Sequence, residues 1–369
     1  MFIAWREFRR SIGRFALLTA AVGLLVLLLL FFQAVAGTLT SGLTGAFESA
    51  DADAFVFDER ARRNPSTSVL PPPVADEVAQ VEGVESAVGV GLGVFTGTGP
   101  DGELDVAVVG GQPGGPSSPA ELSEGDRPSG PDEAVFSGST FDESLAVGDV
   151  VEVGGREIRV VGVADGAAYN VLPTLYVPFE TCVAVVQDRA GAPIDVPLSL
   201  VAVTVVEGAD AGEVAAEITA QVEGVDALDA ATTIDELPGV GQVTQSFSIL
   251  YLLLFIVVTI VTGVFFLILT VQKAEALVLL RAVGASRADV VRPVLLQVVA
   301  VVGIGAVGGA ALASGLLAAA RDTFGATLSP GTTAVTVGII LLLGLLASLG
   351  AVRRVLAIDP VAAVAPGGM

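Results

Sequence analysis

Residues 271–293 read VQKAEALVLLRAVGASRADVVRP, and the reading of the whole chain turns on this stretch. It lies between two long apolar segments and carries Lys273, Arg281, Arg287 and Arg292. Leu277, Leu280 and Val283 make an apolar helical face that stops at Gly284, a residue suited to a helix C-terminus. Ser286 is placed to cap a second helix, with Asp289 three residues later in a capping-box pattern. A short amphipathic helix held between two spans suits docking onto a soluble partner.

Outward from this stretch, hydropathy marks four candidate membrane helices at residues 15–36, 247–271, 294–320 and 333–352. Each reaches the roughly 20 apolar residues that a bilayer core requires. Arg6, Arg9, Arg10 and Arg14 precede the first span, and Arg353 and Arg354 follow the last. With the four basic residues of the opening stretch, these lie on one side of the membrane, which the positive-inside rule assigns to the cytoplasm. Both termini are then cytoplasmic, as residues 1–14, 272–293 and 353–369, and residues 37–246 are extracytoplasmic. The basic start, the Leu-rich run and Ala34-Val35-Ala36 also have the parts of a secretory signal. The apolar run is longer than such a signal needs and suits an uncleaved span. Phe2, Trp5, Phe8, Ile12 and Phe15 recur at spacings of three and four, which predicts an interfacial amphipathic helix ahead of it.

Composition excludes several chemistries. The chain has no His, one Cys (Cys182) and one Lys (Lys273). A Ser-His-Asp or Cys-His nucleophilic centre and a Cys/His zinc site therefore cannot be built. A phosphate-binding loop needs a Gly-Lys pair, and the one Lys follows Gln272. The chain is not expected to be an enzyme or to hold a cofactor of its own, and ATP would be used by a partner subunit. Carboxylates are abundant, but no paired-carboxylate motif stands out. Cys182 allows no internal disulfide and reads as a buried thiol. No nucleic-acid partner is indicated.

The extracytoplasmic segment holds 35 of the 40 acidic residues against seven Arg, a formal charge of −28. This reads as a solvated surface. Its texture is that of a mixed α/β domain. Residues 74–84 read VADEVAQVEGV and residues 213–225 read EVAAEITAQVEGV. Each predicts a short amphipathic helix, a Glu-Gly turn and a Val-led strand, the units of a ferredoxin-like βαβ pair. Residues 110–130 are rich in Gly, Pro and Ser and read as a loop. Residues 149–163 predict a hairpin turning at Gly154-Gly155. The fold class is thus a membrane protein with four transmembrane α-helices and an α+β extracytoplasmic domain, ferredoxin-like in part, with a small β-rich insertion.

With these elements assembled, the chain resembles the permease subunits of MacB/FtsX-type ABC transporters over its whole length. The most specific part is residues 275–286, EALVLLRAVGAS, similar to the family's Leu-Arg-Ala-x-Gly-Ala-Ser stretch. Pro360-Val361-Ala362-Ala363 is similar to its closing P-x-x-A segment. Residues 145–149, LAVGD, and 160–163, VVGV, have the texture of its periplasmic core domain. The size of the outer domain resembles the MacB-like or lipoprotein-exporter-like branch. The resemblance implies that residues 272–293 form a coupling helix docked on a separate ATPase subunit. Glu275, Leu279, Leu280, Arg281, Gly284, Ala285 and Ser286 would lie at or beside that contact. Where the family often carries Glu near the start of the third span, this chain has Gln297, so no ion-pair role is carried over.

Gly305, Gly309 and Ala313 on the third span form a small-residue face suited to close helix packing, within the bundle or with a second permease copy. Three function classes follow: a permease extruding a hydrophobic compound, peptide or lipoprotein; a mechanotransmission module activating an extracytoplasmic enzyme such as a wall hydrolase; and an ATPase-independent anchor for a binding domain. The expected partners are an ABC ATPase, a second permease copy or homologue in a dimer, the cell membrane and an extracytoplasmic adaptor or enzyme.

Overall fold

The computed structural model describes residues 12–138, 145–272, 287–319 and 328–356. It divides into a helical unit, formed by residues up to Ala36 and from Gln245 onward, and an α+β unit, Gly37–Thr244. The division falls inside two long helices, α1 (Ile12–Glu48) and α6 (Val240–Gln272).

The α+β unit is built on the repeated helix–turn–strand units read in the sequence. Strand β1 (Ala54–Asp58) is followed by α2 (Val74–Val78) and β2 (Val84–Gly99). Strand β9 (Leu200–Val205) is followed by α4 (Ala211–Gln221) and β10 (Val225–Asp229). Both Glu-Gly turns need a left-handed glycine, Gly83 at φ +91° and Gly224 at φ +78°. The strands lie in the order β10-β1-β9-β2, each pair antiparallel. Two βα units interleaved in this way make the ferredoxin-like arrangement. One face buries Val56, Leu70, Val78, Val201, Val203 and Ile218 under α2 and α4.

Between β2 and β9 lies the β-rich insertion. It contains β3 (Gly102–Gly111), β4 (Glu124–Gly125), β5 (Glu133–Ser137), β6 (Val150–Val153), β7 (Arg156–Val163), β8 (Thr174–Pro178) and α3 (Phe179–Ala190). Strand β2 belongs to both parts, pairing β9 over residues 84–90 and β3 over residues 91–99. The β6–β7 hairpin turns at Gly154 and Gly155, both left-handed, with Val153 opposite Arg156. Cys182 on α3 is 1% exposed and sits over Gly91 and Gly110, which face each other across β2 and β3. Without side chains there, the strands let the helix approach closely, and burial pushes the Cys182 thiol up to about 11.

In the helical unit, α1 and α6 are joined by α7 (Arg287–Ala319) and α8 (Pro330–Leu356). All four helices are long and apolar enough to cross a membrane. They exceed the spans read from hydropathy because an apolar window ends where polarity begins, not where the backbone stops being helical. Helix α7 runs through Pro293. The core includes Phe15, Val22, Val26, Leu30, Val258, Phe266, Val302 and Ile340. Ile249, Leu253, Ile256, Ile260, Val264 and Ile268 form an exposed stripe at helical spacing on α6, as a lipid-facing surface would. Inside, most hydroxyls reach a nearby oxygen: Thr259 Oγ1 donates to Phe255 O at 2.7 Å and Thr336 Oγ1 donates to Gln33 Oε1 at 3.1 Å, whereas the buried Thr262 Oγ1 has no partner among the described residues. Buried polar atoms in an apolar medium need such partners.

Candidate functional site

The coupling residues Glu275, Leu279, Leu280, Arg281, Gly284, Ala285 and Ser286 lie outside the described residues. The small-residue face lies within them. A Cβ on Gly305 would meet Thr19 O at 2.8 Å, and one on Gly309 would fall under 3.0 Å from Gly23 O. Ala313 is fully buried. Gly305 and Gly309 therefore hold α7 against α1 at backbone contact, which only small residues permit. Gln297 is 9% exposed and uncharged.

A second place of backbone contact was not read from the sequence. Residues 37–48 continue α1 into the α+β unit, where Phe47 is 5% exposed and packs edge-on against Phe55 with centroids 5.0 Å apart. The loop 164–172 closes over this end. Val171 N donates to Gly42 O at 2.7 Å, and Ala46 N donates to Ala168 O at 3.1 Å. Gly42 O and Ala46 N are the ordinary i, i+4 partners of a helical turn. Here each bonds across to the loop, so the loop is stitched into the helix ladder. The glycines make room: a Cβ on Gly42 would meet Val171 Cγ2 at 3.1 Å, and one on Gly45 would lie under 3.0 Å from Gly166 O.

Backbone conformation marks the same region. Among the described residues, the non-glycine residues at positive φ are Arg62 (50°), Arg63 (62°), Asn170 (51°) and Val171 (65°). They are the central pairs of two tight turns, closed by Asn64 N donating to Ala61 O at 3.1 Å and Leu172 N donating to Tyr169 O at 3.0 Å. Two successive left-handed residues define a type I′ turn, which favours Asn-Gly. A β-branched Val in the second place is unfavourable by about 1–3 kcal/mol. Thr174 locks the second turn, its Oγ1 accepting from Tyr169 N at 2.8 Å and donating to Leu172 O at 2.9 Å.

The two turns touch, Ser66 Oγ lying 2.9 Å from Tyr169 Oη. Burial raises the Tyr169 hydroxyl above its ordinary range and keeps it protonated. Arg63 pairs with Asp226 on β10 at 2.8 Å and with Glu236. Glu236 is the last residue of α5 (Ala230–Glu236), and the short link Leu237-Pro238-Gly239 leads from it into α6. Leu237 and Val240 are both 6% exposed in the core that also holds Phe47. A connected set of contacts thus runs from the end of α1 through the two turns to the start of α6. No cluster of His, Cys, Asp or Glu able to hold a metal occurs among the described residues.

Residues 15–221 match the family described as MacB-like periplasmic core domain, and residues 248–360 match FtsX-like permease C-terminal. The chain is 27% identical over 372 residues to an uncharacterized ABC transporter permease of Mycobacterium tuberculosis strain H37Rv, covering 98% of each chain. It is 24% identical over 371 residues to one of Mycobacterium bovis, covering 100% of this chain and 99% of the other. Among solved structures it is similar to the periplasmic region of MacB from Actinobacillus actinomycetemcomitans, with 13% identity, 50% of this chain and 92% of that one covered, and a TM-score of 0.36.

Proposed function

Because the chain belongs to the MacB/FtsX-type permeases of ABC transporters, with four apolar helices and an extracytoplasmic domain, we propose that it couples ATP hydrolysis by a separate ATPase subunit to conformational change in that domain. The work would extrude a hydrophobic compound, peptide or lipoprotein. Residues 272–293 serve as the coupling helix, and both termini are cytoplasmic in this reading. The extracytoplasmic unit follows the motion through α1 and α6. The observation that carries this is the stitching of loop 164–172 into the α1 ladder at Gly42 and Ala46. A backbone bond to each half of one helical turn resists sliding and rotation of the helix within its own domain, which is what transmission of displacement needs.

Apolar spans without central Asp, Glu, Lys or Arg lack the usual markers of a polar-solute path, and this supports displacement over conduction. The test is ATP hydrolysis by the reconstituted permease–ATPase complex in proteoliposomes. Stimulation by a hydrophobic substrate supports extrusion. Stimulation only by a bound wall hydrolase would move the assignment to a mechanotransmission module.

A further inference from the structure

The two strained turns frame a cleft of about 170 Å³ within the α+β unit. Leu43 and Phe47 of α1 form one wall, and Leu237 from the link before α6 forms the other. Asn64, Ser66, Tyr169 and Asn170 supply the polar end. Ser66 and Tyr169 are already engaged with each other, and Asn64 Oδ1 accepts from Ser66 N at 3.0 Å. The side-chain amides of Asn64 and Asn170 are therefore the donors left for a guest, with Asn64 held in place by its bond from Ser66 N. The cleft has room for one benzene-sized molecule, and it is open to solvent and lined by polar as well as apolar atoms. Clefts with apolar walls and a few convergent polar groups are the ordinary form of small-ligand sites. Left-handed non-glycine residues gather at ligand clamps and switch segments, and here all four described ones sit on the two turns beside this cleft.

We propose that this cleft is a binding site for a small amphiphile: one aromatic ring, or a branched alkyl group of similar size, carrying a single hydroxyl or carbonyl acceptor for Asn64. The ring lies between Leu43, Phe47 and Leu237. Its occupancy sets the separation of the α1 end from the α6 start. That consequence for transport rests on the permease function proposed above, whereas the binding does not.

The test uses the full chain in lipid nanodiscs and ¹⁹F line broadening of 4-fluorobenzyl alcohol, with empty nanodiscs subtracted. A saturable component is expected for the wild type. Ser66→Trp, which fills the cleft, abolishes it. Asn64→Leu weakens the alcohol about threefold or more, the value of one hydrogen bond, and leaves 4-fluorotoluene unchanged. Should Ser66→Trp fail to fold, the Asn64→Leu comparison decides alone. No saturable component in the wild type, undiminished broadening in folded Ser66→Trp, or equal effects of Asn64→Leu on both probes would overturn the site. None of these outcomes touches ATPase association, so failure of the site and failure of the permease reading are told apart.

Discussion

Replacing Gly45 by Ala tests the junction between α1 and its domain most sharply. In an isolated helix the change would stabilise by about 1 kcal/mol, because Ala is the better helix former. Here the new Cβ would stand under 3.0 Å from Gly166 O and 3.2 Å from Ala168 O. Both are backbone carbonyls, so no side chain can swing away. Overpacking of this kind costs about 1–3 kcal/mol. The loop must retreat, and the bonds from Val171 N and Ala46 N then lengthen, each worth about 0.5–1.5 kcal/mol. The net loss comes to about 3 kcal/mol, or roughly 6–12 °C in the melting temperature of a domain of this size. Hydrogen exchange on the full chain in nanodiscs reads the local effect directly. The Val171 and Ala46 amides should exchange about 100-fold faster, the factor that 3 kcal/mol represents. Unchanged exchange and an unchanged or raised melting temperature in correctly inserted Gly45→Ala would refute the stitched-helix account.

Gly309→Leu places a branched side chain where α7 meets Gly23 of α1, so the bundle should melt earlier while the α+β unit keeps its own transition; calorimetry separates the two. Gly110→Ala drives a Cβ into Cys182 and should destabilise the β-rich insertion by about 1–3 kcal/mol, with partial rescue by Cys182→Gly in the double variant. Asp229 caps α5 by accepting from Thr232 N at 2.9 Å, and the Thr232 hydroxyl together with this backbone bond holds its carboxyl below the ordinary value. A depressed folded pKa gives stability that is fully present above the unfolded value near 3.9 and fades as pH falls through the folded one. Asp229→Ala should therefore cost about 0.5–2 kcal/mol at neutral pH and progressively less below pH 4, measured by denaturant titration.

Much of this architecture was legible in the chain. The spans follow from apolar length alone, since the bilayer imposes a fixed minimum. The ferredoxin-like pairing followed from two helix–Glu-Gly–Val units, because Gly83 and Gly224 supply a left-handed turn that other residues enter only under strain. Gly154-Gly155 marked its hairpin for the same reason. What stayed hidden depends on contacts distant in sequence. Strand β2 carries glycine at positions 89, 91, 93, 97 and 99, a composition that argues against a strand until Phe179 and Cys182 of α3 and Leu198 are seen filling the space. The twelve residues that extend α1 to Glu48 are too polar to register as a span, and their helix is fixed by docking. Asn170-Val171 carries no glycine to announce its turn, and Arg62-Arg63 reads as surface charge. The left-handed pairs could have been suspected only at Asn170, whose side chain tolerates that region. The coupling stretch, which began the reading, lies outside the described residues and rests on sequence alone.

Its role is open to one direct measurement. The tagged full chain is purified from its native membrane together with whatever ATP-hydrolysing subunit it binds, in wild-type and Gly284→Val forms, and ATPase activity per permease is compared. Coupling through residues 272–293 predicts activity that accompanies the wild type and is lost with Gly284→Val, while both forms insert equally. Equal ATPase activity with both forms would contradict that coupling, and none with either would contradict the partner itself.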